Sequence, residues 1–306
     1  MNRAPIAWPR KTREMHSHHF DSTVWNDFAF RDDDIVIATY AKSGTTWVQQ
    51  IVAQLIFDGA EDPPVAEMSP WLDLRVPPKD VKLAALSAQR HRRFVKTHLP
   101  VDALVFSPAA KYLYIGRDGR DVVWSLHNHH MSGNELWYQL LNDTPGRVGP
   151  PIERPTGSVR QYFLDWLDRD GYPFWAFWEN IRSWWAIRDL PNVMLLHYGD
   201  LKADLPGQTR RIAEFLDIPI QERRFPAIVE HCGFDYMKAH ADKSVPLAGA
   251  IFADGAASFI HKGINGRWRD VLTVDDCRRY EEMARRELGE ACARWLEQGG
   301  GNHPGP

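Results

Sequence analysis

Four stretches of strand type are spaced along the chain, at Ile35–Tyr40, Arg93–Thr97, Lys111–Ile115 and Asn192–Tyr198. Segments in which apolar residues recur at helical spacing separate them. This alternation is typical of a parallel sheet that helices cover on both faces. We therefore predict an α/β fold in a single domain over residues 1–306, with a central, mostly parallel sheet flanked by helices.

The pattern also predicts where the helices and the irregular segments lie. The predicted helices cover residues 47–56, 121–126, 174–187, 208–216 and 274–296. Residues 1–30 are polar and His-rich, and we expect them to lie over the surface. The remaining irregular segments are 142–160, rich in Pro and Gly and predicted to be a mobile loop, the loop-like 240–260, and the flexible tail 299–306.

Composition narrows the class of protein. A net charge of −3 argues against bulk binding of nucleic acid, which usually takes a basic domain. The three cysteines, Cys232, Cys277 and Cys292, are too few and too scattered for a disulfide framework, which favours a reducing cytoplasm. No run of about 18 apolar residues is present, so we expect no membrane span.

The turn after the first strand carries the most specific chemistry. Residues Lys42–Thr46, Lys-Ser-Gly-Thr-Thr, join a strand to a helix whose first N–H groups and positive dipole end favour an anion. The Walker A motif instead places its Lys after a second Gly. No strand ends in an Asp suited to hold magnesium, which argues against an ATP-dependent kinase. The turn therefore predicts a phosphate or sulfate site, with an ordinary capped turn as the alternative.

Two other strand ends carry ionisable residues that the sheet topology should bring to the same edge. His98 follows the second strand, where a neutral imidazole can accept a proton from a hydroxyl. Arg117 follows the third, with Ser125 eight residues later, and the pair can bind a second phosphate. The alternatives are a His bonded to loop backbone and an Arg paired with a neighbouring Asp.

The histidine clusters and the tryptophans raise two further possibilities, a metal site and an acceptor pocket. The clusters 16–19 and 127–130 lack the cysteine or carboxylate pattern of a common metal site, so we expect no metal. Trp71, Trp124 and His129, with the Trp-rich segment 175–185, are candidates for an apolar acceptor pocket. Core packing is at least as good an explanation for most of these tryptophans.

Together, four segments resemble the cytosolic sulfotransferases that use 3′-phosphoadenosine-5′-phosphosulfate (PAPS). Tyr40–Trp47 resembles the family's 5′-phosphosulfate loop, with Ala41 in place of a turn Pro. Lys96–Pro100 resembles its Lys-Ser/Thr-His-Leu-Pro segment, and Tyr114–Ser125 keeps the Arg and Ser of its 3′-phosphate site. Phe259–Trp268 resembles the loop that closes over the cofactor. The segments occur in the family order and span most of the chain.

The resemblance implies roles for individual residues. His98 is the expected general base, and Lys42 and Lys96 are the expected catalytic cations. The aromatic rings of Trp47 and Phe234 should flank the adenine. The implied nucleotide-binding residues are Lys42, Ser43, Gly44, Thr45, Thr46, Trp47, Arg117, Ser125, Tyr198, Phe234, Phe259, His261, Lys262 and Gly263.

Two positions depart from the family pattern. His261 stands where the closing loop usually has Arg, which makes one contact to the 3′-phosphate dependent on pH. The family's homodimer motif, Lys-x-x-x-Thr-Val-x-x-x-Glu, begins here at Arg269 and ends at Arg278. A homodimer is possible, but the charge at the last position of its motif is reversed.

The implied activity is transfer of the sulfuryl group of PAPS to a hydroxyl or amine of a small molecule. The tryptophans suggest that this acceptor is an apolar or aromatic alcohol or phenol. A sulfate monoester carries one charge fewer than a phosphate, so no metal is expected to be required. The alternatives are a small-molecule kinase of P-loop type and a non-catalytic nucleotide-binding protein of the same fold.

Overall fold

Four parallel strands form the central sheet in the part of the chain that the structure, a computed structural model, describes: residues 6–260 and 262–300. The strands are β1 (Ile35–Thr39), β2 (Phe94–Thr97), β3 (Lys111–Gly116) and β4 (Val193–His197). Their order is β2-β1-β3-β4, and every neighbouring pair is parallel. This confirms the predicted α/β class and places the residues that follow all four strands at one edge of the sheet.

Helices pack on both faces of this sheet and make up most of the remaining regular structure. They are α1 (Val24–Asp27), α2 (Thr45–Ile56), α3 (Val65–Met68), α4 (Lys79–Ala88), α5 (Gly119–Ser132), α6 (Glu135–Asn142), α7 (Val159–Asp168), α8 (Phe177–Trp185), α9 (Tyr198–Ala203), α10 (Leu205–Phe215), α11 (Phe225–His231), α12 (Phe234–Ala239), α13 (Ala241–Ser244), α14 (Ala256–Phe259) and α15 (Val274–Gln298). Short 3-10 turns cover Val101–Ala103, Pro246–Gly249 and Arg267–Asp270.

Alternate residues of each strand enter two different cores. Val36 and Tyr114 face a core built with the aromatic residues of α7 and α8, including Trp166 and Trp184. Ile37, with Leu113 and Ile115, faces a second core formed with α2, α10 and α11. Because β1 is fully buried on both faces, the continuous apolar run in its sequence has a direct structural cause.

The strand limits lie within one or two residues of those predicted, but one boundary matters for the site. Tyr198, expected to end the fourth strand, instead begins α9, whose first turn is capped by the His197 side chain through the Gly199 N–H. The predicted helix 174–187 is shorter, at Phe177–Trp185. The last helix, α15, runs two residues past the predicted end.

Residues 1–30 do not lie wholly over the surface as expected, and that prediction is wrong for 18–25. His18, His19, Phe20 and Trp25 are buried. The segment is held by isolated β-bridges, one of which joins Phe20 to Leu74. The sequence did not reveal that this segment is anchored, because its buried aromatic residues alternate with histidines, which are polar.

The predictions for the other irregular segments have different outcomes. The loop expected at 240–260 contains α13, α14 and a 3-10 turn, so that prediction is wrong in part. No helix or strand is assigned between α6 and α7, in agreement with a loop over most of 142–160; its mobility stays a prediction. Of the predicted tail 299–306, residues 301–306 lie outside the described residues.

Candidate active site

A cavity of about 1300 Å³ opens at the carboxyl edge of the sheet and brings together nearly all of the predicted site residues. Those that line it are Lys42, Gly44, Thr45, Thr46, Trp47, Trp71, Lys96, His98, Arg117, Trp124, Ser125, His129, Tyr198, Phe234, Phe259, Lys262 and Gly263. Ser43 is buried directly behind this wall, and His261 lies outside the described residues.

The turn from β1 to α2 exposes backbone N–H groups to the cavity. Lys42 and Gly44 both have positive φ, at 64° and 117°, which turns the chain sharply into the helix. The first backbone bond of α2 runs from the Val48 N–H to the Gly44 carbonyl, at 3.1 Å. The N–H groups before Val48 at the start of the helix therefore have no intrahelical acceptor, as an anion site requires.

Gly44 is required at this turn for a second reason, which is close packing. A Cβ added there would lie 2.9 Å from Ile115 Cδ1 and 3.0 Å from Tyr198 Cδ2. Behind the turn, Ser43 Oγ is buried and has no partner among the described residues. A buried hydroxyl without a partner is costly, so this atom is a donor that a bound anion can satisfy.

Two lysines give the cavity its positive charge. Burial, together with the neighbouring charges of Arg117 and Lys96, lowers the pKa of Lys42 to about 7. Burial likewise lowers the pKa of Lys96 to about 8. Lys42 Nζ lies 3.8 Å from the centre of the Phe259 ring, a cation–π contact that partly replaces its lost water. A bound anion would stabilise the charged form of both lysines.

Arg117 forms the second anion-binding group, at the end of β3. Its Nη1 donates to the Lys42 carbonyl at 3.0 Å and its Nη2 to Asn265 Oδ1 at 2.8 Å. The guanidinium lies 4.2 Å from the centre of the Tyr198 ring, and Nε is buried without a partner among the residues described. Arg117 is thus fixed by the neighbouring turn and still has a donor to offer.

The segment that follows α14 closes over Arg117. Lys202 Nζ donates to the Gly263 carbonyl at 2.7 Å, and the Gly266 N–H donates to Asp121 Oδ1 at 2.7 Å. Gly263 has φ 61°, and a Cβ there would lie 2.9 Å from the Phe234 ring. The glycine therefore lets this segment pass directly over the ring of Phe234.

Aromatic side chains frame the cavity near α2. Trp47 Nε1 donates to the Cys232 carbonyl at 2.8 Å, and its ring meets Tyr198 edge-on at 5.3 Å between centroids. Phe234, at the start of α12, is 40% exposed and lines the same region. The indole is therefore held by hydrogen bonding, whereas the phenyl ring has an open face.

His98 has one nitrogen engaged by the protein. Its Nδ1 lies 2.7 Å from the Thr39 carbonyl oxygen and 3.0 Å from Thr39 Oγ1. Since a carbonyl can only accept, Nδ1 carries the proton and Nε2 has a free lone pair. Burial and the Lys96 charge lower the pKa of His98 to about 3, which keeps the ring neutral.

Two indoles hold the His98 ring in place. Trp71 meets it edge-on at 4.5 Å between centroids, and Trp175 stacks on it at 5.7 Å. Thr39 Oγ1 also lies 2.7 Å from Thr45 Oγ1, which links the histidine to the start of α2. Thr39 was not predicted as a site residue, because the sequence shows it only as part of a buried strand.

The tryptophans of the predicted aromatic segment divide between the cavity and the core. Within the segment 175–185, Trp175 lines the cavity, whereas Trp178 and Trp184 pack into the core; Trp71 and Trp124, from other segments, also line the cavity. The core explanation thus holds for part of the segment. Sequence reasoning missed several other lining residues: His19, Trp137, Phe174, Lys202, Leu247 and Phe252. They come from segments without a motif, so only spatial proximity identifies them.

Comparisons with known proteins agree with this arrangement. The sulfotransferase domain family matches residues 32–292. A glycolipid sulfotransferase of Mycobacterium bovis is 31% identical over 301 residues, covering 91% of this chain and 92% of the relative. Sulfotransferase 2B1 of Mus musculus is 29% identical over 284 residues, covering 90% of this chain and 77% of the relative. The chain therefore belongs to the sulfotransferase family, and sulfuryl transfer is its reaction class.

A solved structure supports the same assignment. Retinol dehydratase in complex with androsterone and the inactive cofactor PAP is similar with a TM-score of 0.67 and 25% identity, covering 88% of this chain and 84% of the other. Across residues 6–260 and 262–300, no helix is long and apolar enough to cross a membrane. The same residues contain no group of three or more His, Cys, Asp or Glu side chains placed to hold a metal ion.

Proposed function

We propose that this sulfotransferase takes its sulfuryl group from PAPS and transfers it to a hydroxyl or amine of an apolar or aromatic acceptor, with His98 as the general base. PAPS supplies an activated sulfuryl group on its 5′-phosphate and carries a second phosphate on its 3′-oxygen. The cations of the cavity wall, Lys42, Lys96, Arg117 and Lys262, suit a ligand that carries more than one anionic group. The PAP named with the similar retinol dehydratase structure supports the same donor.

At the 5′ end, the backbone N–H groups of Gly44 and Thr45 and the buried hydroxyl of Ser43 supply donors. Lys42 supplies a full charge next to them, and Thr46 lines the same wall. These groups belong to a turn and a helix start, so they are fixed before the ligand binds. Fixed donors and cations stabilise charge that builds up on a leaving phosphate oxygen.

At the 3′ end, Arg117 offers its free Nε, and Ser125 of α5 and Lys262 line the same wall. Trp47 and Phe234 bound the space between the two ends and are suited to stack on a base. The role expected of His261 remains a prediction. If His261 contacts the 3′-phosphate, that contact becomes stronger at acidic pH, where the imidazole gains a proton.

His98 is proposed to accept the proton of the acceptor hydroxyl through Nε2. The observation that carries this proposal is the contact of Nδ1 with the Thr39 carbonyl, which leaves Nε2 as the basic atom in a cavity that also holds Lys42 and Lys96. The lysines lower the pKa of the free imidazole, and the negative charge of a bound donor offsets them. A base fixed in this way contributes about 10²- to 10⁴-fold to the rate.

The acceptor is proposed to be a large apolar or aromatic alcohol or phenol. Trp71 and Trp175 line the cavity and contact His98, and Trp124 and His129 line it as well. Such walls suit a flat or branched apolar body. One relative is a glycolipid sulfotransferase, and the similar retinol dehydratase structure is a complex with androsterone; both are compatible with an apolar acceptor.

The proposal is tested by transfer of labelled sulfate from PAPS to a panel of phenols, primary alcohols, steroids, glycolipids and amines. We expect transfer to at least one apolar class. Calorimetry with adenosine-3′,5′-bisphosphate (PAP) and with ATP-magnesium separates the donor question from the acceptor question. Tighter binding of ATP-magnesium would contradict the assignment of PAPS as donor.

The variant Arg117→Ala tests the 3′-phosphate site directly. We expect it to weaken binding of PAP far more than binding of the nucleotide that lacks the 3′-phosphate, because the lost guanidinium is the proposed partner of that group. Equal weakening of the two nucleotides would refute the site. Isothermal titration of both ligands against wild type and variant gives the comparison.

We also propose a cytoplasmic location, because Cys232, Cys277 and Cys292 are all free thiols. Extracellular proteins usually pair their cysteines. We also keep a homodimer in the proposal, although the positive charge of Arg278 disfavours the family's dimer contact. Arg278 is exposed and forms an ion pair with Asp275 at 2.8 Å, so its positive charge faces solvent on α15.

A further inference from the structure

A pair of adjacent histidines borders the acceptor end of the cavity, in the N-terminal segment that the sequence did not assign to the site. His19 lines the cavity and His18 lies beside it, and both side chains are buried. The two rings lie 4.6 Å apart between centroids. Their backbone is clamped by Arg75, whose N–H donates to the His19 carbonyl at 2.7 Å and whose Nη2 donates to the His18 carbonyl at 3.2 Å.

The hydrogen bonds of this pair determine where its protons lie. His18 Nε2 lies 2.7 Å from the Pro173 carbonyl oxygen, and this contact requires a proton on Nε2. His18 Nδ1 lies 2.5 Å from His19 Nδ1. In a neutral pair, His18 Nδ1 is then the acceptor and His19 Nδ1 the donor. Burial lowers the pKa of both imidazoles, which favours this neutral form.

The remaining nitrogen, His19 Nε2, is consequently left with a lone pair. It has no hydrogen-bond partner in the part of the chain that the structure describes. The His19 ring stacks on Trp71 at 5.7 Å between centroids, and Trp71 also contacts His98. His19 and His98 thus share Trp71 as a neighbour, and both also contact Trp175, so an acceptor held by these two indoles is within reach of both imidazoles.

His129 is a second imidazole of the cavity wall, and it contacts Phe259, whose ring lies against Lys42. Its Nδ1 is buried and has no partner among residues 6–260 and 262–300. Both His19 and His129 pack against Trp137, at 6.1 Å and 5.8 Å between ring centroids. An apolar cavity whose wall carries imidazole nitrogens without partners favours a ligand that brings a polar group to them.

We propose that His19 is a specificity residue that accepts a hydrogen bond from a second hydroxyl of the acceptor, so that the preferred acceptors are apolar molecules with a second hydroxyl group besides the one that is sulfated. This inference rests on the proposed function of the cavity. His18 and the Pro173 carbonyl act as positioning groups, because they fix the tautomer of His19. The recognised group must be a donor, since the free nitrogen can only accept.

The test compares three matched acceptors with the wild-type enzyme. They are a naphthol, the dihydroxynaphthalene with its second hydroxyl at the opposite end of the ring system, and the methyl ether of that second hydroxyl. The ether keeps the size of the diol but cannot donate. We expect kcat/KM for the diol, corrected for its two equivalent hydroxyls, to exceed that for the ether by about tenfold, as for one well-formed hydrogen bond.

The variant His19→Phe keeps an aromatic ring and removes the accepting nitrogen. In this variant we expect the preference for the diol over the ether to be lost. We expect His18→Phe to reduce the preference, because it removes the hydrogen bond that fixes the tautomer of His19. His127→Phe is the matched control, because His127 is a half-buried imidazole that does not line the cavity; its ratio should equal that of wild type. Binding of PAP and thermal unfolding confirm that each variant is folded.

The outcomes separate the two proposals. An unchanged diol-to-ether ratio in His19→Phe, or an equal fall for both acceptors, overturns the role of His19. A wild-type enzyme that prefers the ether or treats both alike overturns it as well. If wild type transfers sulfate to none of the acceptors in the wider panel, the proposed function itself is contradicted.

Discussion

At the scale of single residues, the cavity is defined by groups whose ionisation differs from that in water. His98 is held neutral, and Lys42 and Lys96 lose much of their preference for the charged form. All three shifts have burial as their largest cause, and the cations reinforce one another's effect. Such a site is poised for an anionic ligand, because each of these costs is reduced when negative charge enters.

For the general base, we expect His98→Ala to lower kcat by about 10²- to 10⁴-fold while affinity for PAP changes little. The reason is that Nε2 is the only atom of the ring left free to accept, whereas the nucleotide contacts come from other residues. Initial rates at saturating PAPS and calorimetry with PAP check this. His127→Ala serves as the control, and turnover near that of wild type in His98→Ala would remove the base assignment.

A pH dependence follows from Lys42. Its pKa of about 7 means that the free enzyme carries a largely neutral amine at pH 8, whereas an ordinary lysine is charged there. A bound anion favours the ammonium form and raises the pKa again. Binding of PAP at pH 8 should therefore take up a proton, and binding at pH 6 should take up much less.

Calorimetry in buffers of different ionisation enthalpy measures this uptake. Lys42→Met should reduce the uptake at pH 8, and Lys96 accounts for part of what remains, since its pKa is also lowered, to about 8. Heats that do not depend on the buffer at pH 8 would show that Lys42 is already charged in the free enzyme.

At the scale of elements, the strand–turn–helix around Lys42 depends on a glycine that has no room for a side chain. We expect Gly44→Ala to weaken PAP binding and to destabilise the protein by about 1–3 kcal/mol, through the positive φ and the contacts with Ile115 and Tyr198. Thermal unfolding and calorimetry provide the measurements.

Gly149→Ala is the matched control for that substitution. Gly149 also has positive φ, at 86°, but a Cβ there would meet nothing within 4 Å. The difference between the two variants therefore isolates the steric part of the effect. Equal destabilisation would mean that backbone conformation alone sets the requirement for glycine.

The same element shows how far the sequence could predict the structure. The β1 strand and α2 were predictable, because a fully buried strand and a helix with apolar spacing leave clear periodic patterns. Their convergence with His98 and Arg117 followed from parallel topology. The start of α9 at Tyr198 was not predictable, since its cap comes from the side chain of His197, at the end of a strand.

The cavity residues proposed to contact the acceptor could not be predicted from the sequence, for a different physical reason. Its residues come from segments far apart in the chain, such as His19, Trp137 and Phe252, and each has a composition that is equally compatible with core or surface. Thr39 gave no signal either, because a buried strand residue and a partner of His98 look alike in a single sequence. Packing in three dimensions decides both.

At the scale of the whole molecule, the charge on α15 bears on self-association. The family's dimer motif has opposite charges at its two ends, whereas here both ends, Arg269 and Arg278, are positive. A two-fold contact through this motif would bring like charges together. We therefore expect Arg278→Glu to raise the fraction of dimer in sedimentation velocity at a fixed protein concentration.

Arg286→Glu is the control for this charge change. Arg286 lies on the same helix outside the motif, and its side chain is 67% exposed, as is that of Arg278. If both substitutions leave the sedimentation profile as in wild type, the motif does not govern association in this protein. If both substitutions raise the fraction of dimer equally, the change in net charge, and not the motif, is responsible.

The anchored N-terminal segment has a practical consequence for anyone who engineers or expresses this protein. His18, His19 and Phe20 sit ahead of the first strand, in a stretch where affinity tags and trimmed starts are commonly placed. The residues proposed to bind the nucleotide lie elsewhere: in the turns after β1 and β3, on α2, α5, α9, α12 and α14, and in the segment after α14. We therefore expect a change near the N-terminus to alter the acceptor preference more than the binding of PAP. A tagged and an untagged preparation should be compared before any substrate profile is interpreted.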